Sequence, residues 1–115
     1  MAYVECFVAA VPKESENEYK EHTRAMANVF RDHGASRVVD CWGADVPDGK
    51  TTSFPLAVKA EENEIVALGW IEWNNKETRD AGMEKAMKDE RLVFDAMPFD
   101  GKRLIFAGFE IFSDL

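Results

Sequence analysis

Tyr3-Val4-Glu5-Cys6-Phe7-Val8-Ala9-Ala10-Val11 is apolar at nearly every position. In an extended chain Phe7 and Val11 fall on one side and Val4, Cys6 and Val8 on the other. A strand lying between a core and water alternates apolar and polar residues, whereas one apolar on both sides is covered on both. Pro12 lacks an amide to pair and stops the run, so the pattern predicts a central strand. Ile65 to Trp73 repeats it, with Val66, Leu68 and Trp70 on one face and Ala67, Ile71 and Trp73 on the other. So does Arg103 to Phe112, with Ile105, Ala107, Phe109 and Ile111 opposed to Leu104, Phe106 and Phe112. A fourth strand runs from Ser36 to Trp42 through Val38, Val39 and Cys41.

Helical spacing fills the intervals. Ser15 with Glu18 forms a capping-box pattern, and Tyr19, Thr23, Met26, Val29 and Phe30 then recur at three and four residues until Gly34. Asn75 caps a second helix over Lys76 to Lys88, whose thin apolar stripe is Ala81, Ala86 and Met87 with Met83 alongside. Asp89 to Met97 is expected to continue as a shorter helical piece closed by Pro98. Val46-Pro47-Asp48-Gly49 suits a type I turn in the loop from Gly43 to about Pro55. Leu56 to Ala60 fits either a short strand or a helical turn.

The order strand, helix, strand, strand, helix, strand predicts an α+β, ferredoxin-like β-α-β-β-α-β fold with an antiparallel sheet covered on one face by two helices. The first strand then sits between the third and fourth, with the second beyond the third. Two helices cover one face only, while three of the four strands are apolar on both. The simplest cover for the second face is the same face of another copy, in a two-fold homodimer forming a dimeric α/β barrel.

The 115 residues predict a single domain over 1–115, and 46% apolar with 31% charged residues fits a globular chain. The net charge of −8, from 14 Lys and Arg against 22 Asp and Glu, opposes nucleic acid and anionic lipid as partners. Apolar runs such as Ile65 to Trp70 are far shorter than the roughly 20 residues of a membrane span, and Met1 to Val11 has no basic leader. Two cysteines, Cys6 and Cys41, and no N-x-Ser/Thr acceptor fit a cytoplasmic protein. Across two strand spacings, roughly 9.6 Å, the two thiols exceed the reach of a disulfide and are expected as free thiols in the core.

Signature chemistry is sparse. Gly43 and Gly49-Lys50-Thr51 resemble a phosphate loop, but the spacing wants glycine where Ala44 stands, and no helix follows. His22 and His33 are eleven residues apart on one helix, about 16 Å along its axis, too far to share a metal. Neither a metal nor any cofactor is therefore expected. Asp40, a strand acid beside Cys41, and His33 are the candidate proton-transfer groups, against the plainer readings of an exposed acid and a helix-end histidine. Trp42 and Trp70 suit an aromatic-ligand pocket, with Phe54, Lys59 and Arg103 as further ligand contacts, against plain core aromatics and scattered surface cations.

Ser53-Phe54-Pro55, Ala57-Val58-Lys59-Ala60 and above all Met97-Pro98-Phe99-Asp100-Gly101-Lys102-Arg103, followed by Gly108-Phe109, resemble the YbaA-like family of small bacterial proteins of unknown function. Val11-Pro12-Lys13 and His33-Gly34-Ala35 match the same pattern, and the likeness covers essentially the whole chain. Family members usually carry two adjacent glycines where this chain has Ala107-Gly108. The resemblance implies the dimeric α/β-barrel superfamily and dimerisation, and no activity. Some relatives carry a label naming the signal recognition particle RNA, which the acidity here opposes. Related barrels include cofactor-independent monooxygenases and haem-degrading enzymes that hold aromatic ligands between helices and sheet, a likeness of fold alone.

These observations lead to a homodimer binding a small aromatic or anionic molecule between helices and sheet. Two alternatives stay open: a monooxygenase-like or isomerase-like enzyme using a pocket near Asp40, Trp42 and Trp70, and a regulatory or interaction module with no pocket.

Overall fold

The computed structural model describes residues 1–92 and 97–115. Four antiparallel strands, β1 (Tyr3–Pro12), β2 (Arg37–Trp42), β3 (Glu64–Trp73) and β4 (Ile105–Glu110), form one sheet in the order β2-β3-β1-β4. The helices are α1 (Glu16–Asp32), the single turn α2 (Phe54–Ala57) and α3 (Lys76–Met87). This is the ferredoxin-like α+β fold expected from the strand pattern, with the expected strand order.

Local chemistry sets the boundaries. The Asn75 side chain accepts from the Thr78 amide at 2.7 Å and starts α3. Gly34, at φ 112°, ends α1 in a left-handed turn in which the Ala35 amide reaches back to the Phe30 carbonyl at 3.0 Å. Ser15 does not cap α1 through its side chain, because a short 3-10 turn over Lys13–Ser15 feeds directly into the helix. Residues 46–49 close no hydrogen-bonded turn. The 54–60 ambiguity resolves as helical: Ser53 caps α2, and Lys59, at φ 51°, closes it in the conformation glycine usually supplies. The last strand is shorter than expected, since Gly101–Arg103 is a 3-10 turn. Of the expected helical piece after Asp89, residues 93–96 lie outside the described residues.

Helices α1 and α3 cover one face of the sheet. Their core is in two pieces: Tyr3, Ile71 and Trp73 pack with Val29, Phe30 and Ala86 at one end, and Ala9, Val11 and Ala67 with Tyr19 at the other. Between them on β1 stand Glu5 and Phe7. Among the described residues the opposite face is covered only at one end, where Val58, following α2, packs on Val8, Ala10 and Val66.

The rest of that outer face carries Val4 and Cys6 of β1, Val39 and Cys41 of β2, Trp70 of β3 and Ile105 and Phe109 of β4, as the pairing registers require. Ile105 and Phe109 are 44% and 54% exposed. Cys6 and Cys41 are free, on strands separated by β3. Cys41 is exposed instead of buried, because nothing among the described residues covers the outer face of β2 there. Among the described residues no helix is long and apolar enough to cross a membrane.

Candidate functional site

The break in the inner core is a cavity of about 290 Å³. The sheet floor supplies Glu5, Phe7, Val38, Asp40, Ile71, Leu104 and Phe106; α1 supplies Tyr19, His22, Thr23, Met26, Ala27 and Phe30. Met83 and Met87 of α3 close it with Met97 and Phe99. Four of the chain's five methionines therefore line one space. Thioether side chains are soft and adaptable, and they make favourable contacts with aromatic rings. A cavity of about 150 Å³ lined by apolar side chains already holds benzene.

The missing Cβ at position 69 builds the floor. Gly69 on β3 pairs with Phe7 on one side and Asp40 on the other. A Cβ there would overlap the Phe7 ring and come within 2.7 Å of Asp40 Oδ1. Glycine thus lets an aromatic ring and a carboxylate lean over the same point of the sheet.

The polar groups differ in how far the protein satisfies them. Arg79 Nη1 donates to Glu5 Oε2 at 3.2 Å, and Nη2 donates to the Tyr3 hydroxyl at 2.8 Å with the guanidinium 4.7 Å from the Tyr3 ring centre. Glu5, 9% exposed, is therefore a paired charge. Asp40, exposed on the edge strand β2, has no hydrogen-bond or ion-pair partner among the described residues, and partial burial raises its carboxyl above the ordinary aspartate value. Tyr19 is raised well above the ordinary phenol value by burial first and by the Asp40 charge second. His22 is lowered by burial, against the opposing charge of Glu18, so its imidazole is neutral at neutral pH. Its Nε2 is buried with no partner among the described residues.

The residues singled out from sequence do not share one site. Asp40 lines the cavity. Trp42 packs beside it on Tyr19, ring centres 5.9 Å apart, but Trp70 lies on the outer face, its Nε1 donating to Glu72 Oε2 at 2.9 Å. Phe54 is in α2, on the outer side. His33 stands at the end of α1, Nε2 2.8 Å from Asp89 Oδ2. Asp89 is in turn held far below the ordinary aspartate value by hydrogen bonds from Arg91.

The donors of Arg103 are engaged within the chain. Nη1 and Nη2 meet the two Glu64 oxygens at 2.7 and 2.8 Å, Nε meets Asp100 at 3.0 Å, and Nη1 also donates to the Lys59 carbonyl at 2.8 Å. Arg103 thus clasps the Asp100 turn to the start of β3 and the end of α2. Its hydrogen bond is the main cause holding Glu64 below the ordinary glutamate value. A carboxyl lowered by folding stabilises above its unfolded value and loses that contribution as pH falls through its folded value. Arg103→Ala is expected to lower the urea midpoint at neutral pH, with the gap to the native protein narrowing through the acid range. A gap independent of pH would refute the clasp.

Sequence reasoning takes His22 as a plain helix histidine and passes over Glu5. His22 sits three residues after Tyr19 and four before Met26, on the apolar stripe, and Glu5 is the one charge inside an apolar strand. Both positions carried the signal.

A ferredoxin-like sheet with a helix-covered apolar cavity defines the structural class. The chain also matches the family described as "Protein of unknown function (DUF1428)" over residues 2–101. It is 51% identical over 116 residues to "Uncharacterized protein YbaA" of Escherichia coli (strain K12), across 99% of each chain. The protein belongs to this family. Among solved structures it is similar to a dimeric ferredoxin-like protein from an uncultured marine organism, at TM-score 0.66 and 7% identity over 99% of this chain and 98% of that one. It is also similar to SnoaB, a cofactor-independent oxygenase from Streptomyces nogalater, at TM-score 0.54 and 13% identity over 98% and 96%. At these identities the two structures speak for the fold alone.

Proposed function

We propose that this protein is a cytoplasmic homodimer, paired through the outer faces of its sheets, in which each copy holds a small aromatic molecule between α1, α3 and the sheet. The cavity carries the binding proposal: about 290 Å³, walled by methionine and aromatic side chains and almost wholly apolar at its surface. Of the aromatic and anionic ligand classes, the lining favours the first, since its charged side chains, Glu5 and Asp40, are both acids. The two-faced strands and the exposed Ile105 and Phe109 support the pairing. The dimeric state named for the marine protein accords with it. A partner of nucleic acid is not proposed, given the charge of −8.

Light scattering at micromolar concentration is expected to give twice the 13.0 kDa chain mass, and the mass of one chain would overturn the pairing. Titration with naphthylmethanol, followed by ring fluorescence, is expected to saturate at one molecule per chain. Ala27→Phe, which puts a ring into the space, is expected to weaken that binding at least about tenfold, the loss that filling a well-packed apolar site brings. Unchanged binding by the folded variant would remove the cavity as the site.

One observation favours a second reading, an oxygenase-like or isomerase-like enzyme. A neutral His22 on the cavity wall, its Nε2 buried without a partner among the described residues, is the group that would take a proton from a bound phenol or carbon acid. Turnover of such a compound, abolished by His22→Ala with binding retained, would support it.

A further inference from the structure

We infer that the occupant of the cavity is a neutral molecule with few or no hydrogen-bonding groups, in its simplest form an alkyl-substituted aromatic hydrocarbon. The inference rests on the cavity being an aromatic site, and it adds the polarity of the ligand. The space has about 290 Å³, against the about 150 Å³ that suffices for benzene, and so admits fused rings with a short alkyl chain. Its surface is almost wholly apolar, although Glu5, Tyr19, His22, Thr23 and Asp40 stand along it. Their polar groups are engaged within the chain, buried or at the border. Glu5 accepts from Arg79 at 3.2 Å, and the Thr23 hydroxyl donates to the Lys20 carbonyl at 3.2 Å. Tyr19 packs its ring against Trp42 and Phe99, centres 5.9 and 5.8 Å away. Asp40 is exposed on the edge strand, and the buried imidazole of His22 is neutral.

A ligand's hydroxyl, ammonium or carboxylate would leave water on entering this space and meet apolar surface in return, a loss that is greatest for a charge. A hydrocarbon gives up no hydrogen bond and gains in proportion to the apolar area it removes from water. Among the described residues no Lys or Arg lines the cavity, so an anion finds no counter-charge there. The border has the same character as the interior. The floor is one transverse row of the sheet, Asp40, Gly69, Phe7 and Phe106 in the order β2-β3-β1-β4. At the β4 edge the row ends on Phe106, 68% exposed, and Met87 of α3, which also lines the space, is 50% exposed. Met26, Met83 and Met87 are flexible and accommodate rings of differing outline. Selection is therefore expected to fall on the polarity of the ligand more than on the shape of its ring.

Probes of nearly one shape and different polarity separate the possibilities: ethylnaphthalene, naphthylmethanol, protonated naphthylmethylamine and naphthoate, titrated into the native protein at neutral pH. Ethylnaphthalene is expected to bind about threefold to fourfold more tightly than methylnaphthalene, the gain of one buried methylene. The alcohol is expected to bind about tenfold more weakly than ethylnaphthalene, and both ions at least about hundredfold more weakly, whatever their sign. An amine that binds as tightly as ethylnaphthalene would mean that the net charge of −8, and not the lining, selects the ligand, and would overturn the inference. Alcohol or naphthoate binding as tight as that of ethylnaphthalene would overturn it too. In each case a weakening of the bound probe by Ala27→Phe leaves the aromatic cavity standing. Equal binding of ethylnaphthalene by the folded Ala27→Phe variant, or binding of none of the probes, would overturn the cavity reading itself.

Discussion

Trp73→Ala is expected to lower the free energy of unfolding by about 3–5 kcal/mol, as removal of a fully enclosed indole from a close-packed core does. Trp73 ends β3 opposite Tyr3, is 0% exposed, and packs with Phe30, Ile71 and Ala86. The complementary feature lies on α3. A Cβ at Gly82 would overlap the Trp73 ring and come within 2.6 Å of the His33 carbonyl oxygen. Helix propensity alone makes alanine better than glycine by about 1 kcal/mol, yet Gly82→Ala is expected to destabilise by about 1–3 kcal/mol through overpacking. With the smaller Trp73→Leu side chain in place, the same change is expected to become neutral or stabilising. A cycle of the four proteins in urea measures this coupling, expected at about 1–3 kcal/mol. A stabilising Gly82→Ala in the otherwise native chain would place the ring elsewhere.

The same contact explains what could and could not be read from the residues. Strands and their order follow from apolar side chains on both faces of β1 and β3, a pattern that survives in any single sequence. Helix α3 is bounded correctly by Asn75, but its buried side is only partly as expected: Ala86 is buried, whereas Ala81 and Met87 are exposed and Gly82 is buried in their stead. Contact through small residues leaves no apolar stripe, since closeness of backbones replaces side-chain volume. Ser15 is a cap by pattern and not in fact, because the 3-10 turn before it decides the entry into α1.

Among site residues, the strand pattern leaves Asp40 open between a buried and an exposed acid, and it stands exposed on the edge strand β2 at the border of the cavity. Trp42 and Trp70 were grouped as aromatics, although Trp42 pairs with Ala67 and Trp70 with Cys6. Successive strand residues point to opposite sides, so residues 67 and 70 face opposite ways, and the two indoles are divided by the sheet. That register joins segments far apart in the chain and is invisible to local periodicity. Arg103 looked available as a surface cation for the same reason: its partner Glu64 is 39 positions away.

Phe109→Glu is expected to dissociate the proposed dimer. Phe109 lies on the outer face opposite Val4, 54% exposed in the single chain, at the side of the sheet where α2 gives no cover. A buried aromatic anchor of an interface contributes about 2 kcal/mol or more. A two-fold axis introduces the substitution twice, so the dissociation constant is expected to rise about thousandfold. Sedimentation equilibrium measures it. Phe106→Glu provides the counterpart, since Phe106 is more exposed, at 68%, yet pairs with Phe7 and faces the cavity. If pairing follows the outer face, Phe106→Glu keeps the dimer and weakens naphthylmethanol binding, whereas Phe109→Glu does the reverse. Equal dissociation by both would mean that the free edge of β4, and not the face of the sheet, joins the two copies. In that arrangement the apolar outer surface would still lack a cover, and the inference from two-faced strands to a face-to-face barrel would fail.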